Sequence, residues 1–383
     1  LNGHGDSPEH FRTMQVYGGK MNIVIAGGGT GGHLFPGIAI AQEFLRRDTK
    51  NNILFIGTEQ GIEARMLPKL NFTLKTVPVK GFKGKSPAEK AGAMAAVPAA
   101  FFKAGRYVRA FQADIVVGLG GYISFPAVAA GRALHIPTVI HEQNSVPGLA
   151  NRILGRMAHR VFVSYEESKK YFAAEKTMAA GMPVRRQFTG GTTMREETPF
   201  CLFVCGGSQG AHAINEAVIA ALPHLEGVKE KIRFLHQTGQ ADRALVEESY
   251  KKYVFAARVL PFVDDMYVWY RQAHAVVSRA GASTLAELAL CGKASVLIPY
   301  PFAAGNHQEM NARAFVDGGA GRMILQRDLT GEALAACISE LEKNRPAVER
   351  MEQQAVHLAK PKAAETIVEE CYRLAARTRK ACA

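Results

Sequence analysis

From Met21 onward, short runs of β-branched and other apolar residues alternate with longer stretches whose apolar positions recur at helical spacing. NIVIA (22–26), ILFIG (53–57), IVVGL (115–119), TVIHE (138–142) and RVFVS (160–164) are apolar on both faces, as strands inside a parallel sheet are. After residue 182 the pattern starts again, with FCLFVC (200–205), IRFLHQ (232–237), ARVLPF (257–262), AVVS (275–278) and SVLIPY (295–300). Between the two series, residues 181–199 are rich in Gly, Thr and charge, a linker composition. Each series opens with a strand, a glycine-rich loop and a helix. The prediction is an α/β protein of two doubly wound, Rossmann-like domains, residues 21–184 and 185–361, with a ligand in the cleft between them. Residues 362–380 read as one more amphipathic helix, and the polar stretch 1–20 as a disordered leader.

Composition narrows the field. A chain of 383 residues is too long for one ordinary core, and 48% hydrophobic with 21% charged residues is globular. The net charge of +13 asks for an anionic partner. Six scattered cysteines without a CxxC fit neither a zinc site nor a disulfide framework, so reduced buried thiols are expected. No run reaches the ~18–20 apolar residues of a membrane-spanning helix. Residues 91–102 come nearest and are interrupted by Pro98. The leader has no apolar run of the kind a signal peptide carries.

Three segments carry candidate chemistry. Residues 27–33, GGGTGGH, follow a strand and open a helix, where backbone N–H groups can face a bulky anion. They also satisfy GxGxxG, so a nicotinamide dehydrogenase competes; yet the second strand ends in Gly57-Thr58 rather than in a ribose-binding acid. His33, in the first helical turn, is kept neutral by the helix dipole and suits a general base. Gly206-Gly207-Ser208-Gln209-Gly210 matches G-x-S-x-G, and Asp264, Asp265 and His307 follow in the order of a serine hydrolase. That reading leaves the first loop without a task. Diphosphate binding by Ser208 and its neighbours is preferred, with Asp264 as the cap of the next helix. In SRAGASTLAE (278–287), small residues allow a flat ring to approach the backbone, and Glu287 can accept both ribose hydroxyls.

GGGTGGHLFPGIAIA, GLGGYISFPAVAAG, HEQNSVPGLANRIL, VCGGSQGAHAIN, PFVDDM, SRAGASTLAE and NHQEMNA, in this order, resemble the MurG family of peptidoglycan N-acetylglucosaminyltransferases. The resemblance implies the GT-B fold, with the C-terminal helix returning to the first domain. It also implies inverting transfer of GlcNAc from UDP-GlcNAc to lipid I, giving lipid II. Carried over by motif, Thr30, Gly31 and Gly32 contact the donor, and His33 or Glu142 is the base. Tyr122, His141, Glu142, Asn144 and Asn151 line the acceptor side. Arg185 and Ser208 hold the diphosphate. Val263 and Ala282 meet the uracil, with Ser283, Thr284, Leu285 and Ala286 beside it. Glu287 meets the ribose and Gln308 the GlcNAc hydroxyls.

Such an acceptor keeps its lipid in the bilayer. Phe82, Lys83, Lys85, Phe101, Phe102, Lys103 and Arg106 form an apolar patch rimmed by cations, suited to an anionic leaflet at ~1 kcal/mol per basic residue. The expected location is the cytoplasmic face of the bacterial inner membrane, held peripherally, with cell-wall synthesis proteins as further partners. Neither a nucleic-acid partner nor an obligatory metal or cofactor is expected. Rivals on the same architecture are another lipid glycosyltransferase, a UDP-GlcNAc 2-epimerase and a non-enzymatic nucleotide-sugar sensor.

Overall fold

Two separate parallel sheets account for the two series of apolar runs in the computed structural model, which describes residues 19–79, 86–189, 197–207 and 209–382. The described chain divides into two units. Unit 1 takes the residues up to Gln143, then Pro147–Pro183 and the residues from Lys362 on; unit 2 takes Asn144–Val146 and Val184–Pro361.

In unit 1, Asn22–Ala26 (β1) leads through the first glycine loop into Gly31–Arg47 (α1). There follow Asn52–Gly57 (β2), Ile62–Lys69 (α2), Thr73–Thr76 (β3), Pro87–Ala110 (α3) and Ile115–Gly118 (β4). Gly121–Ala133 (α4), Thr138–Glu142 (β5), Leu149–Met157 (α5), Arg160–Val163 (β6) and Thr177–Ala179 (β7) complete the sheet unit. The strand order is β3-β2-β1-β4-β5-β6-β7. It reverses between β1 and β4, so the loops leaving those two strands flank the switch point where such sheets take ligands. β1 is apolar from Ile23 to Ala26 because both faces are covered there. Ile23 and Ile25 pack with Leu34, Ile38 and Phe44 of α1, whereas Val24 and Ala26 pack with Ala100, Ala104 and Val108 of α3.

The last helix, Ala363–Cys382, also belongs to this unit. Ile367 and Val368 are fully buried in the cluster that holds Ile23 and Ile25. Burial of each contributes about 1.5–3 kcal/mol. Polar contacts fix the helix in place: Asn51 Nδ2 donates to the Tyr372 hydroxyl at 2.7 Å, and Arg160 Nε to Glu370 at 2.7 Å.

In unit 2, Phe200–Cys205 (β8), His212–Ala221 (α6), Ile232–Gln237 (β9), Arg243–Lys252 (α7), Ala256–Leu260 (β10), Met266–Gln272 (α8) and Ala275–Ser278 (β11) come first. Ala282–Leu290 (α9), Ala294–Leu297 (β12), His307–Asp317 (α10), Gly321–Met323 (β13), Gly331–Lys343 (α11) and Arg345–Leu358 (α12) follow. The order β10-β9-β8-β11-β12-β13 repeats the switch, now between β8 and β11. Cys201, Cys205 and Cys371 are buried free thiols. No helix among the described residues is long and apolar enough to cross a membrane.

Three strands have no counterpart in the sequence reading: β3, β7 and β13. Each is three or four residues long and stands at a sheet edge, with few buried side chains, so its hydrophobic signal is weak. Pro98, which interrupts the apolar run 91–102, lies inside the single helix α3, whose inner face at Ala100, Ala104 and Val108 is fully buried. The cap of α8 is Asp265, not Asp264, and it makes no side-chain capping bond. Its Oδ1 accepts from Gln187 Nε2 at 3.2 Å instead.

Candidate active site

In unit 1, Thr30 is the residue before α1, and Gly31 and Gly32 open that helix at the carboxyl end of β1. A helix N-terminus there favours an anion. The Thr30 hydroxyl makes no capping bond; Oγ1 lies 3.1 Å from His33 Nδ1. With Nδ1–H donated to Thr30, Nε2 becomes the proton-accepting nitrogen of this half-buried ring. The ring stands against the loop after β4, where a Cβ on Gly121 would meet Cε1 at 3.6 Å. Gly120 and Gly121 have φ of 83° and 71°, a left-handed path that excludes most other residues.

Tyr122 comes next and is half-buried; burial first, then the charge of Glu63, holds its phenol above the usual range. Asn151 packs on Gly120 and donates to Glu142 Oε2 at 2.8 Å and to the His141 carbonyl at 3.1 Å. Glu142 and Asn151 are each 2% exposed, and His141 has no exposed surface. His141 Nε2 lies 3.0 Å from the Gly181 carbonyl. Burial lowers its pKa to about 4, so the ring is neutral and donates that bond. Of the residues expected on the acceptor side, Tyr122 therefore offers surface. His141, Glu142 and Asn151 brace the loop from within. Glu142, buried and bonded to Asn151, also offers an incoming hydroxyl less access than half-buried His33 does.

In unit 2, Arg185 and Glu287 come together although 102 positions separate them: Nη2 stands 4.0 Å from Oε1. The Tyr270 hydroxyl donates to Glu287 Oε2 at 3.3 Å. The carboxyl, on a residue 8% exposed in α9, is lifted to about 7 by burial, which Arg185 and the Tyr270 bond only partly offset. The Arg185 guanidinium lies 5.0 Å over the Phe188 ring, so its plane is fixed as well. Val263, Ala282 and Leu285 are buried, while Ser283, Thr284 and Ala286 are partly exposed. Gln308 Oε1 accepts from the Tyr300 backbone N–H at 3.0 Å. Asn144 groups with unit 2, as does Ser145, whose N–H donates to Asn311 Oδ1 at 3.3 Å.

Ser208 lies outside the described residues, but its loop is well defined on either side. Gly210 N donates to the Gly207 carbonyl at 2.9 Å. A Cβ on Gly210 would come within 1.9 Å of the Thr238 carbonyl, so only glycine fits. Phe82, Lys83 and Lys85 also lie outside the described residues. Phe102 is 70% exposed on α3 beside exposed Lys103 and Arg106, while Phe101 is half-buried and edge-on to Phe102.

Two residues escaped the sequence reading. Asn215, 1% exposed, donates to the Thr238 carbonyl at 2.9 Å and to Asp242 at 2.7 Å, bracing the segment on which Gly210 packs. Nothing in a helical Asn distinguishes this from solvation. Glu63, fully buried, sits beside the first glycine loop. It stands six residues past the end of β2, and nothing in the sequence shows that its side chain turns inward.

Residues 23–163 match the Glycosyltransferase family 28 N-terminal domain and residues 201–367 the Glycosyltransferase family 28 C-terminal domain. A relative from Geotalea uraniireducens (strain Rf4), the UDP-N-acetylglucosamine--N-acetylmuramyl-(pentapeptide) pyrophosphoryl-undecaprenol N-acetylglucosamine transferase, is 47% identical over 94% of this chain and 100% of its own. The transferase of the same name from Thermodesulfovibrio yellowstonii is 44% identical over 91% of this chain and 97% of its own. Among solved structures, Acinetobacter baumannii MurG superposes with a TM-score of 0.73 at 30% identity, covering 92% of this chain and 99% of that one. A UDP-N-acetylglucosamine 2-epimerase from Listeria monocytogenes, at 13% identity and a TM-score of 0.65 over 91% of this chain and 95% of its own, shares the fold alone.

Proposed function

The chain belongs to the MurG family within glycosyltransferase family 28, and on that premise we propose how its residues move GlcNAc from UDP-GlcNAc onto lipid I, the undecaprenyl-diphosphate-linked MurNAc-pentapeptide, to give lipid II. What carries the assignment is near-full-length similarity to the named transferases. The Arg185–Glu287 pairing gives that similarity a chemical counterpart. Unit 2 takes the donor. Glu287 receives the ribose hydroxyls, Arg185 and the loop of Ser208 the diphosphate, Val263 and Ala282 the uracil, and Gln308 the sugar hydroxyls. Unit 1 takes the acceptor and supplies the base.

In an inverting transfer the acceptor hydroxyl attacks the anomeric carbon from the face opposite UDP. As the new bond forms, the hydroxyl proton passes to His33 Nε2, and the glycosidic electron pair leaves with the diphosphate. Charge then grows on the leaving group, and Arg185 together with helix N-terminal N–H groups stabilises it. Turnover of radiolabelled UDP-GlcNAc tests the reading directly. Labelled disaccharide-lipid and UDP should appear only when a lipid I analogue is present. Release of UDP without any acceptor would point to an epimerase-like reaction on the same fold.

The same acceptor draws the enzyme to a lipid surface. Phe102 is exposed at the outer face of α3 and is flanked by Lys103 and Arg106, a pairing of apolar and cationic groups suited to the cytoplasmic face of the inner membrane. Reversing both charges, with Lys103→Glu and Arg106→Glu, should weaken binding to anionic vesicles by about 30-fold or more, at ~1 kcal/mol per basic residue lost. Soluble turnover of a short-chain acceptor should stay unchanged. Sedimentation with vesicles reads the effect, and equal binding by both proteins would move the membrane contact elsewhere.

A further inference from the structure

Both units carry a glycine loop after their first strand at the point where the strand order reverses, yet only one nucleotide-sugar takes part in the reaction. The first loop differs in what already lies in it. Glu63, the second residue of α2, turns its side chain into the space beneath Gly28 and Gly29 and has no exposed surface. Oε2 accepts the Gly29 N–H at 2.7 Å, and Oε1 accepts the Thr58 N–H and the Thr58 hydroxyl, each at 2.8 Å. Three glycines clear the room. A Cβ would come within 2.4 Å of the carboxyl carbon from Gly28, 2.1 Å of Oε2 from Gly61 and 2.7 Å of Cγ from Gly57. The N-terminal turn of α2 further favours the negative charge. A carboxylate thus holds one N–H of the glycine loop, that of Gly29, together with the two donors of Thr58 at the end of β2.

We propose that Glu63 determines specificity: its carboxylate is a built-in anion that fills the phosphate subsite of the first glycine loop and keeps nucleoside diphosphates out of unit 1. The UDP of the donor is thereby confined to unit 2. Removing the carboxylate uncovers three hydrogen-bond donors in the space it had filled. Replacing it with an amide of equal size keeps the cavity filled.

The test is calorimetric titration of the full chain with UDP, followed by inorganic pyrophosphate once the UDP site is saturated. The unchanged protein and Glu63→Gln should bind one UDP and then equal amounts of pyrophosphate. Glu63→Ser should gain one further pyrophosphate site, at least tenfold tighter than the binding to the unchanged protein. A folded Glu63→Ser protein that takes up no more pyrophosphate than the unchanged protein overturns the proposal. Should that variant fail to fold, the amide resonances of Gly29 and Thr58 in the unchanged protein decide. They should stay in place as pyrophosphate is added to the UDP-saturated enzyme, and their displacement would overturn it equally. These readouts concern binding alone, so they stand apart from the identity of the acceptor.

Discussion

His33→Ala should lower kcat by about 10²–10⁴-fold, the usual worth of a positioned general base. KM for UDP-GlcNAc should move by about threefold at most, because the residue meets the reacting hydroxyl rather than the nucleotide. The geometry behind this is local. Thr30 Oγ1 holds Nδ1 at 3.1 Å, so the ring is oriented before any substrate arrives, and Nε2 is the nitrogen that gains the proton. Thr30→Val, which keeps the shape and loses the bond, should lower kcat by less than His33→Ala does. Steady-state kinetics with a soluble lipid I analogue decides. A kcat within tenfold of the unchanged enzyme would remove His33 from the role and pass it to Glu142.

The second large effect concerns Glu287. As a carboxylate it can accept two ribose hydroxyls, each charge-assisted bond contributing about 1.5–3 kcal/mol, so Glu287→Ala should raise KM for UDP-GlcNAc by about 10²-fold or more. The carboxyl must be ionised to accept both, yet burial has lifted it to about 7. KM for UDP-GlcNAc should therefore climb about tenfold for each pH unit below that value, and Glu287→Gln should lose this dependence. Stability runs the opposite way. A folded-state value raised from 4.5 to about 7 gives a contribution that is full below 4.5 and lost as pH rises through 7. That loss amounts to about 3 kcal/mol at most. The unliganded unchanged protein should lose more melting temperature between pH 5 and 8 than Glu287→Gln does. Thermal melts at both values read it, and parallel profiles would mean that the carboxyl ionises normally. Function here keeps an acid where folding would prefer an amide.

Much of this arrangement could be read from the chain itself. The two series of apolar runs gave ten of the strands, because most of these strands are buried in the sheets and therefore largely apolar. The short edge strands stayed hidden because only one of their residues, Gly321, is fully buried. Both glycine loops were visible as punctuation between strand and helix, and so was the apolar setting of Glu287. What the pattern could not supply was partnership. Arg185 and Glu287 each had an expected role, but their approach to 4.0 Å depends on the packing of unit 2. His141 was expected to touch a ligand, and only its full burial reveals it as a brace. Glu63 went unnoticed for a related reason. A carboxylate near a glycine loop in sequence carries no sign of whether it faces water or turns inward.

The placement of the last helix bears on how the molecule is made. Ile367, Val368 and Cys371 complete the core around Ile23 and Ile25, so unit 2 is in effect inserted into unit 1. On the ribosome, the first sheet is finished long before the helix that covers it is synthesised. At bacterial rates of ~5–20 residues per second, the chain between Pro183 and Lys362 takes roughly 10–40 s to emerge. During that interval the apolar flank of β1 and α1 is without its cover and open to chaperones. Unit 2, contiguous apart from three residues, can close as soon as it is released. Maturation is then paced from the far end of the chain: the half that is translated first is the half that finishes folding last.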